Sequence, residues 1–287
     1  LKTQQIRICG DYMDNTLFQE LCKCGVDSEH LIKTDQEKPI SSEELERYYD
    51  YVKEEEQKKL VDVTKIKGLT DTRLNVNCTW WEHFNGEAEV LAHNRIETLF
   101  ERLKEKGLLR FIFSFEESRY CVPLAYFDKE DIYFAYGDGN HRTVFAKIVN
   151  APYIFAKVSY YKYNPVSERN YIQYKKWFQD LCSSVEKLGF RIEQGWIKYK
   201  DVSIIDIDIY MPSNFNLSDK DMNFIHEKFK NLQKELTFIE EKVRLLRFFS
   251  LKWKIRICTL FSHWGDDFNK MILYGALASL LEEGYTI

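Results

Sequence analysis

Glycine and proline are scarce in this chain, with 12 and 5 in 287 residues. Together with 45% hydrophobic residues, that scarcity rules out a disordered or low-complexity protein. No apolar run is long enough to cross a bilayer; the most apolar late stretch, residues 271–281, is about half the length a spanning helix needs. The polar first residues do not form a secretory leader, so no membrane association and a cytoplasmic location are expected. There is no excess of positive charge. The net charge of −4 gives no general pull toward nucleic acid, and any such contact has to come from a local basic patch. Zinc-finger spacing is absent too: Cys22-Lys23-Cys24 has no second pair at a matching distance. The seven scattered cysteines are expected to be free thiols in a reducing compartment.

Aromatic residues, by contrast, make up 15% of the chain, enough for a bulky core or an aromatic surface presented to partners. The segment richest in chemistry is Tyr136-Gly137-Asp138-Gly139-Asn140-His141-Arg142-Thr143. It comes after a strand-like run, Ile132 to Tyr136, and precedes Val144, Phe145, Ile148 and Val149 at helical spacing. Two glycines let the backbone approach a ligand, and the first amides of a helix have no partner within it, so they can face an anion. Gly137, Gly139, Asn140, His141, Arg142 and Thr143 are therefore the expected phosphate-binding set. Arg142 would clamp phosphate oxygens, His141 would titrate near neutrality, and Asp138 would hold a metal or a hydroxyl. His141 and Asp138 are the catalytic candidates. The competing reading is an ordinary turn, with Asn140 as a helix cap and Arg142 in solvent.

The order of elements around Asp138-Gly139-Asn140-His141-Arg142 resembles the ParB/sulfiredoxin-like domain found in partition proteins, sulfiredoxins and many phage and mobile-element proteins. The resemblance covers residues 71–165. It takes in a helix at 91–106, a turn at Gly107-Leu108-Leu109-Arg110-Phe111-Ile112-Phe113, the motif itself and a closing strand at 153–158. It implies a nucleotide-facing site: partition proteins use a Gly-Glu-Arg-Arg version with CTP, and sulfiredoxins a Gly-Gly-Cys-His-Arg version with ATP and a reactive Cys. Asn140 stands at the position of that Cys, so the reductase reaction does not carry over, and no partition-type helix-turn-helix is evident downstream. What the resemblance implies is a scaffold and a phosphate-facing His141-Arg142, with a nucleotide and Mg²⁺ as the candidate cofactors.

The expected architecture is α+β in three parts: an N-terminal charged helical extension (1–70), the ParB/sulfiredoxin-like domain (71–165), and a C-terminal α+β part with a long helix (166–287). In the first part Ile6-Arg7-Ile8 suggests a short strand. Ser41-x-x-Glu44 suggests a capping box for a helix whose apolar stripe is Leu45, Tyr48, Tyr49 and Val52, with the charged run 54–59 as its wet end. Between Lys157 and Trp177 cations alternate with aromatics, as single-stranded nucleic acid binding requires, yet Tyr171, Tyr174, Phe178, Leu181, Val185 and Leu188 step by 3 and 4 as a packing seam does. Arg191–Lys198 and Val202–Met211 suggest a hairpin, with Asp206 and Asp208 on one face as either its wet side or a Mg²⁺ pair.

From Met222 to Leu246 apolar residues recur at 3- and 4-residue steps without Gly or Pro. Such a helix is a core spine or a coiled-coil finger, and Leu232, Leu236, Ile239 and Val243 are the expected interface, either with the 171–188 seam or with a second copy. Trp253–Cys258 alternates as a strand; His263 with Asp266 or Asp267 suggests a turn or, less simply, a base and its orienting acid. Trp80-Trp81-Glu82-His83 is either a wall of the nucleotide pocket or a buried aromatic cluster.

These features point to two functions. One is a nucleotide- or nucleic-acid-phosphate-binding protein, with nucleotide hydrolysis or phosphoryl transfer as its reaction if it is an enzyme. The other is a non-enzymatic, phage-encoded interaction protein, an anti-defence inhibitor that oligomerises in the host cytoplasm and blocks a nucleic-acid-processing complex. A homo-oligomer and a protein or nucleic-acid partner are expected.

Overall fold

In the computed structural model the described residues are 15–69, 71–117, 121–187, 191–199, 202–207, 212–246 and nine later positions, 253, 254, 256–258, 260, 274, 275 and 278. The protein is α+β with a mixed sheet. It divides into two compact units, 1–164 and 165–287. Residues 1–70 fall in the same unit as residues 71–164.

The first unit runs α1 (Asn15–Lys23), α2 (Ser28–Thr34), α3 (Glu43–Glu46), β1 (Tyr49–Asp62), β2 (Ile66–Gly68), α4 (Trp80–Asn85), α5 (His93–Lys106), α6 (Leu108–Ser114), β3 (Val122–Phe127), β4 (Ile132–Ala135), α7 (Asn140–Ile148) and β5 (Tyr153–Tyr163). Its five strands lie in the order β1-β5-β3-β4-β2. β3 and β4 form an antiparallel hairpin, and the chain then crosses through α7 to return as β5, parallel to β3. Side chains alternate across the sheet as strand geometry requires. Val122 and Leu124 join the main core with Val144, Phe145 and Ile148 of α7, while Ala125 and Phe127 face the other way, onto Tyr49 and Phe134. The helix α7 packs against α2, α4 and α5. Phe84 and Phe111 both meet the Phe145 ring edge-on at 5.1 Å, so three aromatics pin this helix in place.

Two expectations are corrected here. Residues 49–62 are not a helix with a solvated tail; after the one-turn α3 they form a 14-residue strand, paired from Tyr49↔Tyr163 to Asp62↔Tyr153. The 3- and 4-residue spacing of Leu45, Tyr48, Tyr49 and Val52 is compatible with either structure. What decides is a partner strand some hundred residues away, which local periodicity cannot show. The Gly107–Phe113 turn is likewise helical from Leu108: Gly107, at φ 73°, breaks α5, and the chain restarts as α6 because Phe111 and Phe115 can then bury one face.

The second unit contains α8 (Pro165–Lys187), β6 (Arg191–Glu193), β7 (Trp196–Tyr199), β8 (Val202–Asp206) and α9 (Asp219–Leu246). Proline opens α8 at the first helical position, where its missing N–H costs nothing. The long helix is present, and it pairs with the expected seam inside the chain. The Tyr174 ring lies 5.5 Å from Phe229 and 5.0 Å from Phe215, with Leu181, Val185, Met222 and Ile225 buried along the two helices. Ser218 caps α9: its hydroxyl accepts from the Asp221 N–H, and the Asp221 carboxylate accepts from the Ser218 N–H. Three antiparallel strands replace the expected hairpin. The extra turn falls at Gln194-Gly195, where both residues take positive φ (52° and 75°) as a tight two-residue turn requires. Trp253, Lys254, Arg256, Ile257 and Cys258 are helical rather than extended. Ile6–Ile8, Asp208 and His263 with Asp266 and Asp267 lie outside the described residues, as do the side chains of Asp206, Leu236, Ile239 and Val243.

Candidate phosphate site

The loop between β4 and α7 is built by three local devices. Gly137 has φ 62°, in the left-handed region where glycine carries no Cβ penalty. Gly139 is packed so closely on β3 that a Cβ there would sit 3.1 Å from Val122 Cβ and 3.3 Å from Pro123 Cδ. The buried Asn140 side chain donates from Nδ2 to the Gly137 carbonyl at 3.0 Å and closes the turn. Gly139 occupies the N-cap of α7 and so brings no side-chain acceptor to the first amides of the helix.

Two adjoining cavities meet at this loop. One, of about 320 Å³, is lined by Arg73, Ala92, Arg95 and residues 137–141. The other, of about 270 Å³, is lined by Arg95, Thr98, Leu99, Arg102, Asp138, Gly139, His141 and Arg142. Four arginines therefore line the two cavities that meet at the glycine loop, and Asp138 is the single acidic residue in either lining. Arg73 comes from a 3₁₀ turn (Asp71–Arg73) and donates to the Val90 carbonyl at 3.1 Å. Arg95 and Arg102 come from one face of α5, and Arg95 lies 3.3 Å from the Asp138 carboxylate.

His141 projects from the first turn of α7. The Ala92 N–H donates to its Nε2 at 3.0 Å, which requires a lone pair there and so holds the ring neutral. Burial lowers the affinity of this imidazole for a proton, and the Arg95 and Arg73 charges push it further below the usual histidine range. The proton then sits on Nδ1, and His141 is a neutral donor rather than a general base through Nε2.

Of the residues expected at the site, Gly137, Asp138, Gly139, Asn140, His141 and Arg142 line the cavities. Thr143 does not. It is fully buried beneath the loop, its N–H donates to the Gly139 carbonyl and its hydroxyl has no partner, so it cannot face a ligand. Arg73, Arg95 and Arg102 were not foreseen. The signal for the last two was present: Arg95, Thr98, Leu99 and Arg102 fall at i, i+3, i+4 and i+7, which is one face of a helix.

Elsewhere the structure separates what the sequence placed together. Trp80, Trp81 and His83 are core, not pocket wall. Thr79 and Glu82 form a capping box that fixes α4, and His83 donates from Nδ1 to the Thr79 carbonyl at 2.7 Å while its Nε2 accepts from the Asn75 N–H at 3.1 Å. Of the aromatic and basic run, Tyr161 stacks on Phe127 within the sheet, and the Lys175 ammonium rests over the Tyr171 ring on α8. Leu232 is 3% exposed within the chain, so it is covered without a second copy. Six described cysteines are free, and no three acidic, His or Cys side chains gather as metal ligands among the described residues. No helix among them is long and apolar enough to cross a membrane. No known protein family, curated protein or solved structure matches the chain.

Proposed function

We propose that the loop Gly137–Arg142 binds the phosphate of a nucleotide or nucleic acid, on a scaffold of the ParB/sulfiredoxin-like type. The observation that carries this reading is the convergence of Arg73, Arg95, Arg102 and Arg142 on two cavities that share a glycine loop and contain one carboxylate. In a protein of net charge −4, four guanidiniums at one place are the local basic patch that a phosphate ligand requires. The role is binding before catalysis, because the His141 Nε2 is engaged and no second carboxylate accompanies Asp138. The linings offer a single carboxylate, too few to hold Mg²⁺, so Mg²⁺ would arrive with the ligand and take its oxygens from phosphates and water.

Titration calorimetry with CTP, ATP, GTP and a short single-stranded DNA, with Mg²⁺ present, tests the reading. Arg142→Ala and Arg95→Ala are each expected to weaken the bound ligand by about tenfold or more, as loss of a charge-assisted hydrogen bond does. A wild-type protein that binds none of these ligands would end the proposal.

A second reading, a phage-encoded interaction protein that blocks a nucleic-acid-processing complex, draws on α6, where Leu109 (73% exposed) and Phe113 (62%) stand one turn apart in solvent. Mass measurement in solution, and loss of partner binding on Leu109→Asp, are its tests.

A further inference from the structure

Asp138 lines both cavities, and no other acidic side chain lines either one. Its carboxylate lies 3.3 Å from Nη1 of Arg95, and the two side chains are 86% and 61% exposed. An ion pair so open to water contributes little to stability, so it occupies Arg95 without fixing it. A phosphate group offers a guanidinium the same thing a carboxylate does, oxygens of negative charge arranged for two parallel N–H contacts, and offers more charge. The loop geometry does not depend on this pair, because Gly137, the packing of Gly139 on β3 and the Asn140 bond to the Gly137 carbonyl already set the backbone.

We propose that Asp138 is a built-in competitor: its carboxylate holds Arg95 until a phosphate-bearing ligand displaces it, and it thereby sets the affinity of the site. The proposal rests on the phosphate-binding reading above and adds to it the residue that limits binding. Displacement frees Arg95 at the junction of the two cavities, where a ligand group in either one can reach it. A different role for Asp138, as a ligand of Mg²⁺ bridging to the phosphate, makes the opposite prediction for its removal.

The experiment is a titration of inorganic pyrophosphate at low ionic strength, with and without Mg²⁺, into wild type, Asp138→Asn, Arg95→Gln and the double variant. Without Mg²⁺, Asp138→Asn is expected to bind about fivefold more tightly, and that gain should vanish when Arg95 is already Gln. A gain that persists in the Arg95→Gln background means that Asp138 acts through the general field of the site, and the competition is disproved. Weaker binding by Asp138→Asn in the presence of Mg²⁺ makes Asp138 a metal ligand and likewise overturns the proposal. Equal affinity of wild type and Asp138→Asn removes the competitor while leaving the phosphate site standing. Absence of binding in every variant removes both. Asp138 is exposed and carries no packing, so its substitution should leave the thermal midpoint unchanged, and Asp138→Ser provides a second neutral replacement.

Discussion

Gly68 shows how a single hydrogen can decide a position. A Cβ built there would lie 2.0 Å from the Ile40 carbonyl oxygen and 2.6 Å from Phe134 Cδ1, with backbone on one side and a buried ring on the other. Gly68→Ala is therefore expected to cost about 3 kcal/mol, read as a lowered urea midpoint, because neither neighbour can give way. Gly139→Ala, whose nearest contacts are side chains at 3.1 Å and beyond, should cost less. Lys147 is a different residue-scale case. It is buried on α7 with its ammonium 5.2 Å from the centre of the Trp80 ring, and burial, with Lys67 adding repulsion, pushes it down from 10.5 to about 8. The unfolded chain thus binds more protons than the folded one between these values, so stability rises with pH from about 8 to 10.5 and the penalty is fully present below 8. Lys147→Met should raise stability at pH 7 by about 1–2 kcal/mol and flatten that alkaline rise, both measurable by denaturant titration across pH.

Among the elements, β1 is the most instructive, because its charged run 53–59 lies on a strand at the end of the sheet order. Charge on an edge strand opposes pairing with another chain, a role that the same residues would not have on a helix. The Ser41-x-x-Glu44 signal pointed to a helix start, and one turn of helix, α3, does form there, but its N-cap is Ser42 with no side-chain cap bond, so the expected capping box is not the device that starts it. The signal carried no information on length. In the second unit the α8–α9 pair is held by the Tyr174, Phe215 and Phe229 rings. Phe229→Ala should cost about 3–4 kcal/mol, seen as lost hydrogen-exchange protection along α8 and α9, since Phe229 is buried against both Tyr174 and Phe178. The two seams were legible in the sequence because both helices keep an unbroken 3- and 4-residue step over several turns, but that they meet within one chain rather than between two copies was decided only by the structure. Unchanged protection in Phe229→Ala would show that the seam is held by other contacts.

At the scale of the whole molecule, the division at residue 165 has a thermodynamic consequence. Each unit has its own buried core, so scanning calorimetry of the full chain should resolve two transitions. Gly68→Ala should move only one and Phe229→Ala only the other. A single transition displaced equally by both variants would mean that the units unfold as one. The candidate site belongs entirely to the first unit, so Phe229→Ala should also leave pyrophosphate affinity where it was.

Local sequence was enough to determine the elements whose evidence is local. The strand–loop–helix joint at β4–α7, the capped helix α9 and the seam on α8 each arise from spacing, caps and glycines within about one or two turns of chain. Only the tertiary structure could decide the rest, because it depends on partners distant in sequence. The 49–62 segment is a strand because β5 is there to pair with it, Thr143 is lost to the site because α7 turns that face into the core, and Arg73, Arg95 and Arg102 reach the loop because α5 and the turn before α4 pack beside it. The glycine loop was marked by the sequence as a candidate place for an anion; the arginines beside it were brought there by packing.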